Sequence, residues 1–277
     1  MGSYLEMQAQ RGASCPYTVQ LLLTAPAELK KADVLSALRE RFGAVAPLEA
    51  DGESLAFYHP NHRVPFKGGS APVQCSILPV ELRQGDPQLA AALSQTWAWP
   101  EGRAVASRCR AALALSDMLA AGLDRSERLD LMHGLVAAVH RLAPAQAVHW
   151  LPSQRVVKPE DLFTAVAGGD ALFAAAVNVR MFRVEGRTQT LMDTVGLGAF
   201  GLPDVQCHFE RCSPGRVAAV LYSVARYLYE RGDVIADGHT VQGPESGERW
   251  PCRKALSWAA PRRAVVSVMP GEFAPAV

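Results

Sequence analysis

Segments with an apolar residue at every second position stand next to one another in this chain with no helix between them, and this is the strongest constraint on its fold. Val177–Val184 and Thr188–Val195 flank Glu185-Gly186-Arg187 and read as a hairpin. Ser54–His59 and Val73–Leu82 also follow one another as strands, with Pro79 marking an edge or a bulge in the second. Further strands are expected at Tyr17–Thr24, Gln146–Leu151, Val205–Phe209, Ala255–Ala259 and Ala264–Met269. Ala104–Ser116 joins them, because Val105, Ser107, Cys109, Ala111, Leu113 and Leu115 alternate onto one face. Parallel strands require a long crossover, whereas neighbouring strands pair antiparallel through short turns. The fold class is therefore α+β, with largely antiparallel sheet and packed helices, not a doubly wound parallel sheet.

Helices are read from a different period. Lys31–Phe42 carries Val34, Leu35, Leu38 and Phe42 on one side and stops at Gly43. Pro87–Trp99 is helix-like and ends before Pro100. Asp124 and Glu127 have capping-box spacing at the start of a helix Ser126–Leu142, whose buried stripe is expected to be Leu129, Met132, Leu135, Val136, Val139 and Leu142. Pro159 opens a helix through Val166. Ser213 and Pro214 start another, with Val217, Val220, Leu221, Val224 and Leu228 inward and Gly232 at its end. The order strand–helix–strand–strand recurs in two halves, 1–121 and 122–277, which suggests a pseudo-duplicated architecture.

The chain has 277 residues with 28 basic and 27 acidic side chains. That balance excludes the basic excess of a nucleic-acid binder or of a polybasic membrane-surface protein. Cys15, Cys75, Cys109, Cys207, Cys212 and Cys252 are scattered without a CxxC pair, and read as reduced, mostly buried thiols. The first residues lack a basic segment followed by an apolar run, and no apolar stretch approaches the roughly 20 residues of a membrane span. The expected location is the cytoplasm, with no nucleic acid and no membrane as partner.

The motifs that resemble chemistry fail on context. Gly196-Leu197-Gly198-Ala199-Phe200-Gly201 has the spacing GxGxxG, but a dinucleotide site needs a helix to start there. Here Pro203, Asp204 and the strand-like VQCHF follow, so the segment reads as a turn between strands. Cys207 and His208 are neighbours on a strand and point to opposite faces, which opposes a shared metal ion. His133 and His140 lie on one side of a helix and read as packing groups at the margin of its apolar stripe. There is no GxSxG, phosphate loop or HExxH. No cofactor and no metal site is expected.

Three C-terminal segments carry a resemblance: LMDTVGLGAFGLPDVQCHF (Leu191–Phe209), VLYSVARYLYERGDVIADGHTV (Val220–Val241) and KALSWAAPRRAVVSV (Lys254–Val268). They resemble the bacterial domain-of-unknown-function 4261 family, which shows a similar T-x-G-L-x-x-x-G-L segment, a helix, and then G-x-V-x-x-D-G-D-T. His239 stands where the family more often has an acid. Some members resemble genes found beside type VI secretion effectors, where immunity proteins are encoded. The resemblance thus implies a non-enzymatic immunity protein that binds and neutralises a secreted toxin in the cytoplasm, a nuclease being one such toxin.

Surface residues offered to that partner are expected in the polar loop after the Asp237-Gly238 turn: Asp237, His239, Glu245, Glu248, Arg249 and Trp250. The acidic groups Glu49, Asp51 and Glu53 leave room for mimicry of nucleic acid. The five tryptophans, Trp97, Trp99, Trp150, Trp250 and Trp258, are each expected to pack in the core, although an exposed one would anchor an interface. A homodimer is compatible with this reading. Two alternatives remain: an adaptor or loading chaperone for a secreted effector, and an enzyme whose site is assembled from His149, Cys207, His208 and His239.

Overall fold

A computed structural model of the chain describes residues 16–49, 54–83 and 85–275; Cys15, Asp51 and Glu53 lie outside them. The described residues form an α+β fold in two compact units that divide between Ala176 and Val177.

The first unit is built on strands β1 (Thr18–Leu23), β2 (Ala46–Leu48), β3 (Leu55–Phe66), β4 (Gly69–Glu81), β5 (Ala111–Met118), β6 (Ala147–Trp150) and β7 (Arg155–Val157). They make one antiparallel sheet in the order β2-β3-β4-β5-β1-β6-β7. Helices α1 (Lys31–Phe42), α2 (Pro87–Ser94), α3 (Gly102–Ala106), α4 (Arg125–Leu142) and α5 (Pro159–Ala167) accompany it. Helix α4 packs on α1, β1 and β5 through Leu129, Met132, Leu135, Val136 and Val139, as its stripe requires. Its first turn is capped by Asp124, whose Oδ1 accepts the Ser126 amide at 2.9 Å. His133 and His140 are packing groups: His133 lies against Trp150 and His140 against Phe163. Because α4 packs on this sheet and β6 pairs with β1, residues 122–176 belong with the first unit. The division lies well beyond the expected 121/122.

Two segments of this unit depart from their sequence reading. Residues 102–106 form α3, and the strand begins only at Ala111. The small residues Gly102, Ala106 and Cys109 suit a buried helical turn as well as a strand face. A Cβ on Gly102 would stand 2.9 Å from the Trp99 ring, which holds the helix start tight against that indole. Helix α2 stops at Ser94 rather than Trp99. The hairpin β3–β4 also reaches further than the apolar alternation, through the proline-bearing HPNHRVPF segment, with a register shift between His59 and Arg63.

The second unit contains β8 (Asn178–Arg183), β9 (Thr190–Val195), β10 (Asp204–Phe209), α6 (Pro214–Arg231), β11 (Thr240–Gln242), β12 (Arg249–Leu256) and β13 (Ala264–Val268). The sheet order is β11-β12-β13-β10-β9-β8, and β10–β13 is its parallel pair. The two sheets are wired differently, so the recurrence of elements along the chain is not matched by a recurrence of strand order. Alternation sends Val205, Cys207, Phe209, Val266 and Val268 to one face, all buried. Helix α6 packs on β8, β9 and β10 and buries Val217, Val220, Leu221, Val224 and Leu228. The GxGxxG segment is a single 3-10 turn, Leu197–Phe200, between the antiparallel strands β9 and β10. Gly196 and Gly201 have φ of 133° and 73°, values that only glycine takes easily.

Strand β12 starts at Arg249, earlier than the expected strand at Ala255–Ala259. Residues 257–263 form a loop with a cis Ala260–Pro261 bond. Among the described residues no helix is long and apolar enough to cross a membrane.

Candidate functional site

The face of the second sheet opposite its apolar layer carries charge. Arg180 on β8 stands directly across from Asp193 on β9, and Asp193 in turn across from Gln206 on β10. Arg180 donates from Nε and Nη2 to the two oxygens of Asp193 at 2.9 and 2.7 Å. Its Nη1 donates to the Ala260 carbonyl at 2.9 Å. Arg263 donates from Nη2 to Asp193 at 2.6 Å and from Nε to Asp204 at 3.1 Å. It also reaches the Thr194, Ala259 and Pro261 carbonyls. The other Asp204 oxygen accepts from the Thr194 hydroxyl and the Leu197 amide. All four charged side chains are buried.

Carboxylates so saturated with donors serve structure, not catalysis. Their work is positional. Arg180 and Arg263 hold the carbonyls of Ala259, Ala260 and Pro261. Ser257 accepts the Arg263 amide and donates to Pro261. Gln206 accepts the Trp258 amide at 3.1 Å. The loop 257–263 is thereby tied down at nearly every residue.

Trp258 sits on that loop and is 61% exposed. Its ring meets His208 edge to face, centroids 4.7 Å apart. Along the same face of the sheet His208 pairs with the buried Leu191, and Leu191 with the half-buried Phe182. A row of Phe182, Leu191, His208 and Trp258 follows, with Arg187 and Glu210 close enough to His208 to act on its charge. Burial, then Arg187, depresses the His208 pKa, while Glu210 raises it. A rigid, half-wet aromatic of this kind has the form of an interface anchor.

The residues anticipated for partner contact are placed differently. Trp250 is fully buried on β12, and its indole N–H donates to Glu248 at 2.7 Å. It is a core residue and not a surface anchor, a correction that follows from the earlier start of β12. Glu248 also accepts the Glu245 amide, and Glu245 pairs with Arg216 at 2.5 Å. Arg249 donates to Gln242 and to the Glu248 carbonyl. Asp237 accepts the Lys254 amide at 2.6 Å, and His239 Nδ1 accepts the Ala236 amide at 3.3 Å. Asp237, His239, Glu245 and Arg249 are exposed, yet each is already bonded within the second unit.

Within the second unit the dispersed enzyme constellation is not assembled on β10, where Cys207 and His208 point to opposite faces. His149 is buried on β6 of the first unit beside Gln20, whereas Cys207, His208 and His239 belong to the second. Cys207 lies on the apolar face with its thiol pKa pushed up by burial, and His208 lies on the other. Among the described residues no three His, Cys, Asp or Glu side chains converge as a metal site needs.

One polar pair escaped the sequence reading. His62 Nδ1 lies 2.7 Å from Glu127 Oε1 in an open cleft of about 510 Å³ in the first unit, also lined by Arg41, Asn61 and Asp130. Glu127 holds the position from which it would close a capping box, and it turns instead to a histidine 65 residues away. Behind the cleft, buried His59 stands 3.1 Å from the Cys75 thiol, with its Nδ1 unpartnered.

No curated protein and no solved structure matches the chain. Residues 193–269 match the sequence profile described as Domain of unknown function (DUF4261). That span begins at Asp193 and takes in Asp204, Trp258 and Arg263, so the loop and every charged member of the network except Arg180 lie within the matched region. Over this C-terminal segment, just over a quarter of the chain, the protein is similar to the DUF4261 family.

Proposed function

We propose that the chain is a non-enzymatic protein-binding module, and specifically an immunity protein that binds and neutralises a secreted toxin of the type VI kind in the cytoplasm. The observation that carries the reading is Trp258: a large aromatic, mostly exposed, on a loop immobilised by buried ion pairs. Pre-ordering removes much of the entropy cost of seating such a side chain in a partner's pocket. A complex of ordinary size would bury about 1,600 Å² around it, with Arg187 and Glu210 at the rim. The resemblance of the C-terminal segments to a family with immunity-like members supports the finer assignment.

Co-expression with the toxin encoded beside the gene tests it. Rescue of growth and a stable complex are expected, and Trp258→Ala should weaken the complex by roughly thirtyfold, the effect of losing a hot-spot aromatic. Absence of both rescue and complex overturns the proposal. A complex in which the effector keeps its activity selects a loading chaperone instead.

The His62–Glu127 pair favours a second reading, an enzyme. A carboxylate on Nδ1 orients an imidazole and fixes its tautomer, leaving Nε2 for a substrate proton. A hydrolytic or transfer activity of the pure chain that His62→Gln abolishes and Trp258→Ala leaves intact selects this reading over the first.

A further inference from the structure

A second cavity, of about 200 Å³, opens beside α2 and α3 in the first unit. Its floor is apolar: Leu89 and Leu93 of α2 pack there against the buried core that includes Ala106. Three arginines line it from separate elements. Arg83 follows β4, Arg103 lies on α3, and Arg110 precedes β5. The one lining carboxylate, Asp86, is committed to capping α2, where it accepts the Gln88 and Leu89 amides at 2.7 and 3.1 Å. Arg110 is fixed by donating Nη1 to the Ser107 and Cys109 carbonyls. Among the described residues Arg83 and Arg103 form no ion pair.

Three guanidiniums gathered on one pocket repel one another, and an anion relieves that repulsion. An inorganic anion would leave the apolar floor in contact with water. A neutral hydrocarbon would leave the guanidiniums unused. We propose that this pocket binds a small amphiphilic carboxylate, with its aliphatic body on Leu89, Leu93 and Ala106 and its head group on Arg83, Arg103 and Arg110. Planar guanidiniums suit a carboxylate because they bind both of its oxygens at once.

The probe is octanoate, titrated into the full chain by calorimetry, with octanol, octylammonium and phosphate as comparisons. Saturable binding of octanoate at one site is expected, with octylammonium and octanol weaker by at least about tenfold and phosphate showing no saturation. The double variant Arg83→Ala/Arg103→Ala should weaken octanoate by at least about fivefold. Both arginines are exposed, and among the described residues neither side chain forms an ion pair or hydrogen bond, so the fold should survive. Ala90→Trp, on the exposed wall, should block the site while leaving the circular dichroism unchanged. Absence of saturable octanoate binding, octylammonium or octanol binding as tightly, phosphate binding as tightly, or octanoate affinity unchanged in the double variant would each overturn the assignment.

Discussion

Arg263, in the loop before β13, and Asp193, on β9, are 70 residues apart in sequence and meet at 2.6 Å with almost no solvent contact. Asp193 is shared, since Arg180 donates to the same oxygen at 2.7 Å. Two cations and two carboxylates then neutralise one another, Asp204 being the second acid. Replacing one partner leaves a buried charge with no counterpart. Arg263→Met is expected to destabilise the second unit by about 3–5 kcal/mol, and Asp193→Asn by a comparable amount. Urea unfolding followed by tryptophan fluorescence measures it. A loss below about 1 kcal/mol, the range of exposed pairs, would show that the network is dispensable.

Burial acts on neutral groups in the first unit too. It holds His59, His133 and His149 down to about 4, whereas an unfolded histidine titrates near 6.5. The unfolded chain therefore binds more protons below that value. Stability is intact above about pH 6.5 and is lost as pH falls toward 4. With three such groups the slope approaches about 4 kcal/mol per pH unit midway through the window. Urea midpoints at a series of pH values test this, and His133→Gln should lower the slope by about a third. A flat profile between pH 6.5 and 5 would contradict the burial of these rings.

Much of this architecture was legible from spacing. The hairpin 178–195, the helices 125–142 and 214–231, and the turn at Gly196–Gly201 were each read from local periodicity and capping residues, and local rules govern them. The Arg180–Asp193 pair was also within reach: a hairpin centred on Gly186-Arg187 puts those two residues opposite each other. Arg263 was not, because no short-range pattern links a loop residue to strands so distant in sequence. Trp250 was misplaced for a local reason. Pro251 breaks the look of a strand, yet it pairs with Thr240 and its carbonyl accepts the Met269 amide, so β12 runs through it. The His62–Glu127 pair stayed hidden because Glu127 sits where a cap residue is expected.

The contrast between Trp250 and Trp258 gives a direct check on the site. Trp250→Ala empties a fully buried position and should cost about 3–5 kcal/mol. Trp258→Ala removes an exposed ring and should change stability by no more than about 1 kcal/mol. Denaturant melts of the two variants compare them. Equal losses would mean that Trp258 is a structural residue, and the interface assigned to it would fall.

Gly134 provides the last test, because there the usual sign should invert. In a helix interior, alanine is favoured over glycine by about 1 kcal/mol. On α4, however, a Cβ at position 134 would lie 2.5 Å from Cζ of Phe42 and 2.8 Å from its Cε1. Phe42 cannot retreat without cost, since its ring packs edge to face on buried His59 at 5.0 Å. Gly134→Ala is therefore expected to destabilise the first unit by about 1–3 kcal/mol, the ordinary cost of overpacking. In a Phe42→Ala background the ring clash is gone and the nearest remaining contact is the flexible Arg41 side chain, its Nε at 3.0 Å, so the same substitution should become neutral or stabilising. A double-mutant cycle from thermal or urea melts reads the coupling directly. If Gly134→Ala stabilises the unaltered protein, then α1 and α4 do not approach as closely as the glycine contact requires.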